Sequence, residues 1–275
     1  MRNSLCFLIG IISLFHGAVH GQSAGGYTLV WADEFNKNGR PDTTVWHFEK
    51  GFERNNELQW YQQQNAWCHK GCLIIEARRE QRPNPLYQAG SADWRKKRST
   101  IEYTSSSINT RNTQSWKYGR FIMRAKIPTA VGLWPAFWTL GIKKEWPSDG
   151  EIDIMEYYRG MLLANIACGT AERYKAKWFS VRKPLASFAD KNWGRRFHIW
   201  RMDWDETAIK LYVDDVLLNE VPLDALNNAD GFNPFKQPHY ILLNLAVGGD
   251  NGGDPSMTRF PGRYRIDYVR VYQKK

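Results

Sequence analysis

Apolar and polar residues alternate along Arg120–Ile127: Phe121, Met123, Ala125 and Ile127 share one parity, while Arg120, Arg124 and Lys126 take the other. A two-residue period belongs to a strand with one face in a core and one in water. It recurs at Ile209, Leu211 and Val213, where Asp214-Asp215 follows as a hairpin turn. Further strands are predicted at Tyr27–Phe35, Leu73–Arg78, Leu133–Leu140, Glu151–Tyr157, Phe197–Trp204, Tyr240–Val247 and Tyr264–Tyr272. No convincing amphipathic helix appears, nothing repeats, and no low-complexity linker divides the chain. Many short strands with Gly, Pro and Asn turns predict one all-β domain over residues 22–275, a sandwich of jelly-roll type. The polar stretches 79–103 and 222–239 are too long for tight turns and are expected to rim a cleft.

One predicted strand breaks its own pattern. In Gly150–Arg159 the carboxylates Glu151, Asp153 and Glu156 interrupt an apolar run. Parity points Glu151 and Asp153 to one face and Glu156 to the other. One extra residue bulged out near Ile154 or Met155 would restore Glu156 to the face of the other two. Mutual repulsion must then raise at least one pKa. Carboxylates with divergent pKa values are what glycoside hydrolysis requires. The other acidic pairs, such as Asp33-Glu34 and Asp214-Asp215, fall at strand ends or turns, where solvated acids are common.

Composition narrows the partner. Thirteen Trp and 14% aromatic residues exceed what packing needs, and a minority should face a cleft as flat platforms for sugar rings. The net charge of +10 reads chiefly as a solvated basic surface. Its clusters, Arg78-Arg79 and Arg95–Arg98, have few aromatic neighbours, which argues against nucleic acid. Residues 1–21 read as a signal peptide, with Arg2, an apolar run from Leu5 to Phe15 and Val19-His20-Gly21 at the cleavage point. That run is too short to span a bilayer. The expected destination is therefore the periplasm, the cell surface or the medium, with no integral membrane contact and a monomeric chain. Cys68 and Cys72 flank a hairpin where they could approach to disulfide distance, Cys168 is left over, and no second ligand pair supports zinc. Gly21-Gln22-Ser23-Ala24-Gly25 fits the Gly-x-Ser-x-Gly pattern only at the expected cleavage point, and the chain has no phosphate-binding loop and no His-Glu-x-x-His.

Gly150-Glu151-Ile152-Asp153-Ile154-Met155-Glu156 resembles the catalytic signature of glycoside hydrolase family 16 in its bulged form. Trp31–Phe35, Asn56–Tyr61, Tyr118–Phe121, Trp134–Trp138, Phe197-His198 and Ile266–Tyr272 resemble family segments in the same order. The resemblance implies a jelly roll whose concave sheet forms an open cleft, and an endo-acting hydrolase of β-linked polysaccharide that retains anomeric configuration. It implies Glu151 as nucleophile, Glu156 as acid/base, and Asp153 as the acid between them. It further implies substrate contacts from Trp134, Trp138, Asn56, Trp60 and His198. No cofactor is implied for catalysis. A structural calcium on Glu34 and Asp267 would follow the family pattern, and hard oxygen ligands suit that ion.

Two departures bear on substrate. Laminarin-cleaving members usually carry an Arg where this chain has Ser107, and a His on the strand after the catalytic one, where Ala164–Gly169 has none. A β-1,3- or mixed-linkage glucan is narrowly favoured. A β-galactoside-containing glycan stands close behind, its acidic decorations tolerated by the basic residues of the 79–98 loop. A non-catalytic lectin on the same scaffold, a basic matrix-binding protein and a transglycosylase are the other readings.

Overall fold

The computed structural model describes residues 26–275; the segment read as a signal peptide lies outside them. The strands, in chain order, are β1 (Tyr27–Asp33), β2 (His47–Phe48), β3 (Gln59–Tyr61), β4 (Ala66–Cys68), β5 (Leu73–Pro83), β6 (Thr100–Ser105), β7 (Ser107–Asn109), β8 (Gly119–Lys126) and β9 (Leu133–Gly141). They continue with β10 (Glu151–Tyr158), β11 (Met161–Gly169), β12 (Ala176–Pro184), β13 (His198–Trp204), β14 (Ala208–Val213), β15 (Val216–Pro222), β16 (His239–Val247) and β17 (Gly262–Lys274). The helices among the described residues are short, the two α-helical ones four residues each. A sandwich of two sheets results, as the alternation predicts.

One sheet has ten strands, with β15-β14-β13-β8-β17-β5-β6-β3 in order, β1 added on β17 and β4 on β5. The other has seven, in the order β12-β11-β10-β9-β16-β7-β2, all antiparallel. Their inner faces meet in one apolar core. Phe121, Met123 and Ala125 come from β8, Trp200, Met202 and Trp204 from β13, Ile241, Leu243 and Leu245 from β16. The opposite parity of β8, from Arg120 to Lys126, stays half-buried. Burying a run of this kind at ~25 cal/mol per Å² is the main force holding the sheets together.

Sequence reading leaves out β2, β3, β4, β6, β7, β12 and β15, which are short or lie near a sheet edge, where a second wet face blurs the alternation, and it reaches the buried interior strand β11 only through the resemblance. The stretch 222–239 forms no part of the cleft rim. Its Asn228 and Gln237 side chains bond backbone groups at Ser148, Asp149 and Gly169, buttressing the turn that feeds β10. Across the hairpin turn Lys70-Gly71, both residues at positive φ, Cys68 pairs with Leu73, and His69 exchanges backbone bonds with Cys72. Neighbouring pairs face opposite sides of a ribbon, so the two thiols leave opposite faces and stay free. That register overrides the disulfide expectation.

Candidate active site

β10 lies in the middle of the seven-stranded sheet, and its register slips once on each side. Against β9, Asp153 pairs with Trp138 and Met155 with Phe137, leaving Ile154 over. Against β11, Asp153 faces Asn165 and Glu156 faces Leu163, so Ile154 and Met155 together oppose Ala164. This bulge turns Glu151, Asp153 and Glu156 to the open face and sends Ile152, Ile154 and Met155 fully into the core. Three apolar side chains anchor the strand while its acids look outward.

Each acid has a fixed donor. The Trp134 indole donates to Glu156 Oε1 over 2.6 Å. Asn165 Nδ2 donates to Glu156 Oε2 at 2.9 Å and to Asp153 Oδ2 at 3.0 Å. The Trp146 indole donates to Glu151, and the Glu151 and Asp153 carboxyls share a hydrogen bond. Burial pushes the pKa of Glu151 and Glu156 well up, and the charge of Asp153 raises both further. Burial also carries Asp153 up to about 6, against the bonds from Asn165 and Glu151 that favour its ionised form. The trio therefore titrates as a unit, holding protons near neutral pH. A carboxylate and a carboxylic acid side by side can attack and protonate in one site.

The trough over these acids has a volume of about 690 Å³. Its floor is three rows across the strands β16, β9, β10, β11 and β12. They read Asn244–Ala136–Glu156–Leu163–Arg182, Leu242–Trp138–Asp153–Asn165–Ser180 and Tyr240–Leu140–Glu151–Ala167–Trp178. Beyond β16 the wall is Glu49, Arg54, Asn55 and Glu57. Trp134 and Trp138 both line it. The Trp138 indole donates to Asn244 at 2.7 Å, and Arg54 lies over its ring at 5.3 Å while pairing with Glu49.

Other residues named from the resemblance sit elsewhere. Trp60 is 8% exposed and packs edge-on against Phe52 beneath the rim. Asn56 is exposed and donates to Asp250, tying two rim loops, while its neighbours Asn55 and Glu57 reach the trough. His198 belongs to the ten-stranded sheet and shares the inward parity of Trp200 and Met202. Its nitrogens are matched to Asp214 and the Trp193 carbonyl, both at 2.9 Å, so it is a structural histidine. Glu34 is held by Arg270 at 2.7 and 2.9 Å, and Asp267 by Arg124 at 2.6 Å. A calcium ion there would have to displace both guanidinium groups, so these residues do not fit it as they stand.

Three arginines of the 79–98 loop are likewise committed. Arg95 donates to the carbonyls of Phe52 and Glu53, Arg98 to those of Asn56 and Glu57, and Arg79 to those of Pro255 and Ser256. These three brace the Arg54 rim and are not available to bind an acidic glycan, whereas Lys96 and the exposed Lys97 of the same loop have no side-chain partner among the described residues. Asn165, Asn244, Tyr158, Trp146, Trp178, Arg54 and Arg182 are site residues that sequence reading passed over. Asn165 alone left a signal, as one amide inside the apolar run Leu162–Cys168.

The sequence matches the profile of glycosyl hydrolases family 16 over residues 54–270. It is 34% identical to a β-glucanase of Rhodothermus marinus, the alignment covering 98% of this chain and 92% of the relative. Similar solved structures include one from work on endo-acting O-glycanases with which prominent members of the human gut microbiota initiate mucin breakdown. It has a TM-score of 0.83 at 36% identity and covers 93% of this chain and 94% of that one. The laminarinase catalytic domain of Thermotoga maritima has a TM-score of 0.76 at 34% identity, covering 90% and 99% respectively.

Proposed function

The chain belongs to glycosyl hydrolases family 16, and we propose that it cuts internal β-linkages of a polysaccharide with retention of configuration, a β-1,3- or mixed-linkage glucan being the substrate first favoured. The observation that carries this reading is the bulge at Ile154 and Met155, which gathers Glu151, Asp153 and Glu156 on one open face.

In the first step the Glu151 carboxylate attacks the anomeric carbon while Glu156 gives its proton to the departing glycosidic oxygen. A glycosyl ester forms on Glu151, and the shortened chain leaves as an alcohol. Loss of the Glu151 charge lets Asp153 keep the proton they shared. Glu156, now ionised and stabilised by Trp134 and Asn165, takes a proton from water as the water's oxygen attacks the anomeric carbon. Glu151 departs as carboxylate, and both groups return to their starting states. Two displacements preserve the anomeric configuration. A trough reaching from Arg54 to Arg182 leaves room for sugars on both sides of the cleavage point, which favours internal cutting. The enzyme acts after export, as a single chain; export rests on residues 1–21.

A β-galactoside-containing glycan is the second reading, favoured by the likeness to the structure from the mucin O-glycanase work. Ser107, paired with Asn244 and fully covered, offers no long donor to the trough, and β11 bears no histidine. The test is to incubate the full chain with laminarin, lichenan, agarose, carrageenan and mucin glycans and to size the products. Intermediate fragments from laminarin or lichenan uphold the first reading, and fragments from mucin glycans alone uphold the second. Turnover undiminished in Glu151→Gln would remove the mechanism.

A further inference from the structure

β12 is the terminal strand of the seven-stranded sheet, and its trough-facing side chains are Trp178, Ser180 and Arg182. None of the three makes a side-chain hydrogen bond among the described residues. Trp178 is 45% exposed, and its row neighbour toward the acids is Ala167, too short to cover the ring. Arg182 stands in the same row as Glu156 with only Leu163 between them, two strand spacings or about 10 Å away between backbones.

The charges around β12 are otherwise accounted for. Lys175 pairs with Glu172 and Arg173 with Glu145, each at 2.8 Å. Lys177 lies over Phe179 and Lys183 over Phe188, both on the parity that faces away from the trough. Across the trough, Arg54 is tied to Glu49. Arg182 is therefore the trough cation without a carboxylate partner among the described residues. An open aromatic face, a hydroxyl and an unpaired guanidinium on one row edge make a set of complementary groups. The ring stacks on a sugar face, and the planar fork donates bidentately to a carboxylate or sulfate.

We propose that Trp178, Ser180 and Arg182 form a subsite for a sugar bearing an anionic substituent, one or two residues along the chain from the cleavage point, with Arg182 as the recognising group. The proposal rests on the endo-glycosidase reading and adds a preference that the acids alone do not supply. A neutral polymer crosses this edge with Arg182 merely solvated. A chain carrying sulfate or carboxylate exchanges that solvation for two charge-assisted bonds at a partly dry site.

The test compares kcat/KM for laminarin with its sulfated and carboxymethylated derivatives, and for desulfated keratan with keratan sulfate, at low and high salt. The ratio of anionic to neutral substrate on one enzyme cancels whatever Arg182 does to Glu156, because both substrates meet the same acid. With whichever backbone is cut, the expected ratio is about tenfold in favour of an anionic form, shrinking with salt. Arg182→Gln should bring the ratio to about one, and Arg182→Lys should keep part of it. Preference for sulfate or for carboxymethyl identifies the anion. A ratio near one in the unaltered protein, or one unmoved by Arg182→Gln, overturns the subsite while leaving the hydrolase reading intact. Binding of the same pairs to Glu151→Gln reads the subsite without turnover. Equal affinity for neutral and anionic forms there overturns it even if no backbone is cut.

Discussion

The Trp134 indole and the Glu156 carboxylate meet in a 2.6 Å hydrogen bond, so a residue that lines the trough also tunes the group proposed as acid/base. An N–H donor stabilises the ionised carboxylate and lowers its pKa against the upward push of burial. The proposed platform and the proposed proton chemistry are thereby joined in one side chain.

Trp134→Phe keeps an apolar ring and deletes the donor. The Glu156 pKa should rise, moving the alkaline limb of the kcat/KM profile to higher pH, because the acid stays protonated longer. The deglycosylation step, which needs Glu156 ionised, should slow, lowering kcat about tenfold. A pH–rate profile with both limbs unmoved would contradict the role.

Asn165 is a positioning residue that spans Asp153 and Glu156 with a single amide. Asn165→Ala should reduce kcat by about 10- to 100-fold with KM little changed, and shift the same alkaline limb upward. Asn165→Asp should be worse, because a fourth carboxyl raises every neighbour further. Pre-steady-state measurement of the two steps will show which is slowed.

Burial raises Asp153 from 3.8 to about 6, so its folded pKa exceeds the unfolded one. Between those values the folded state holds more protons than the unfolded state, and stability falls as pH rises through that window. Asp153→Asn should therefore stabilise the protein at pH 7 by about 1–3 kcal/mol, with the gain fading toward pH 4. Urea unfolding at both pH values checks it, and activity should fall in the same variant.

His198 is stacked on Trp193 with centroids 3.7 Å apart and spends both nitrogens inside the fold. His198→Ala should cost about 2–3 kcal/mol of stability and leave kcat/KM essentially unchanged below the unfolding temperature. A large loss of kcat/KM in the folded variant would reinstate His198 as a site residue.

Much of this protein is written locally. The parity of Phe121, Met123 and Ala125 against Arg120 and Arg124 needs no neighbour to be read, because a strand turns one side chain in two toward a core. The misfit of Glu156 with Glu151 and Asp153 could likewise be resolved from spacing, since one extra residue is the smallest correction that keeps Ile152, Ile154 and Met155 buried. Which aromatic faces the trough could not be read in that way. Trp60, Trp134 and Trp138 are alike in sequence, yet Trp60 packs under Phe52 while the other two line the acids. Nor could the partners of the arginines, because Arg98 meets the carbonyls of Asn56 and Glu57 across more than forty residues, and Arg182 is left unpaired only by where its strand ends the sheet. Periodicity along the chain sets which side of a strand is buried; strand order and register between distant segments decide what that side touches.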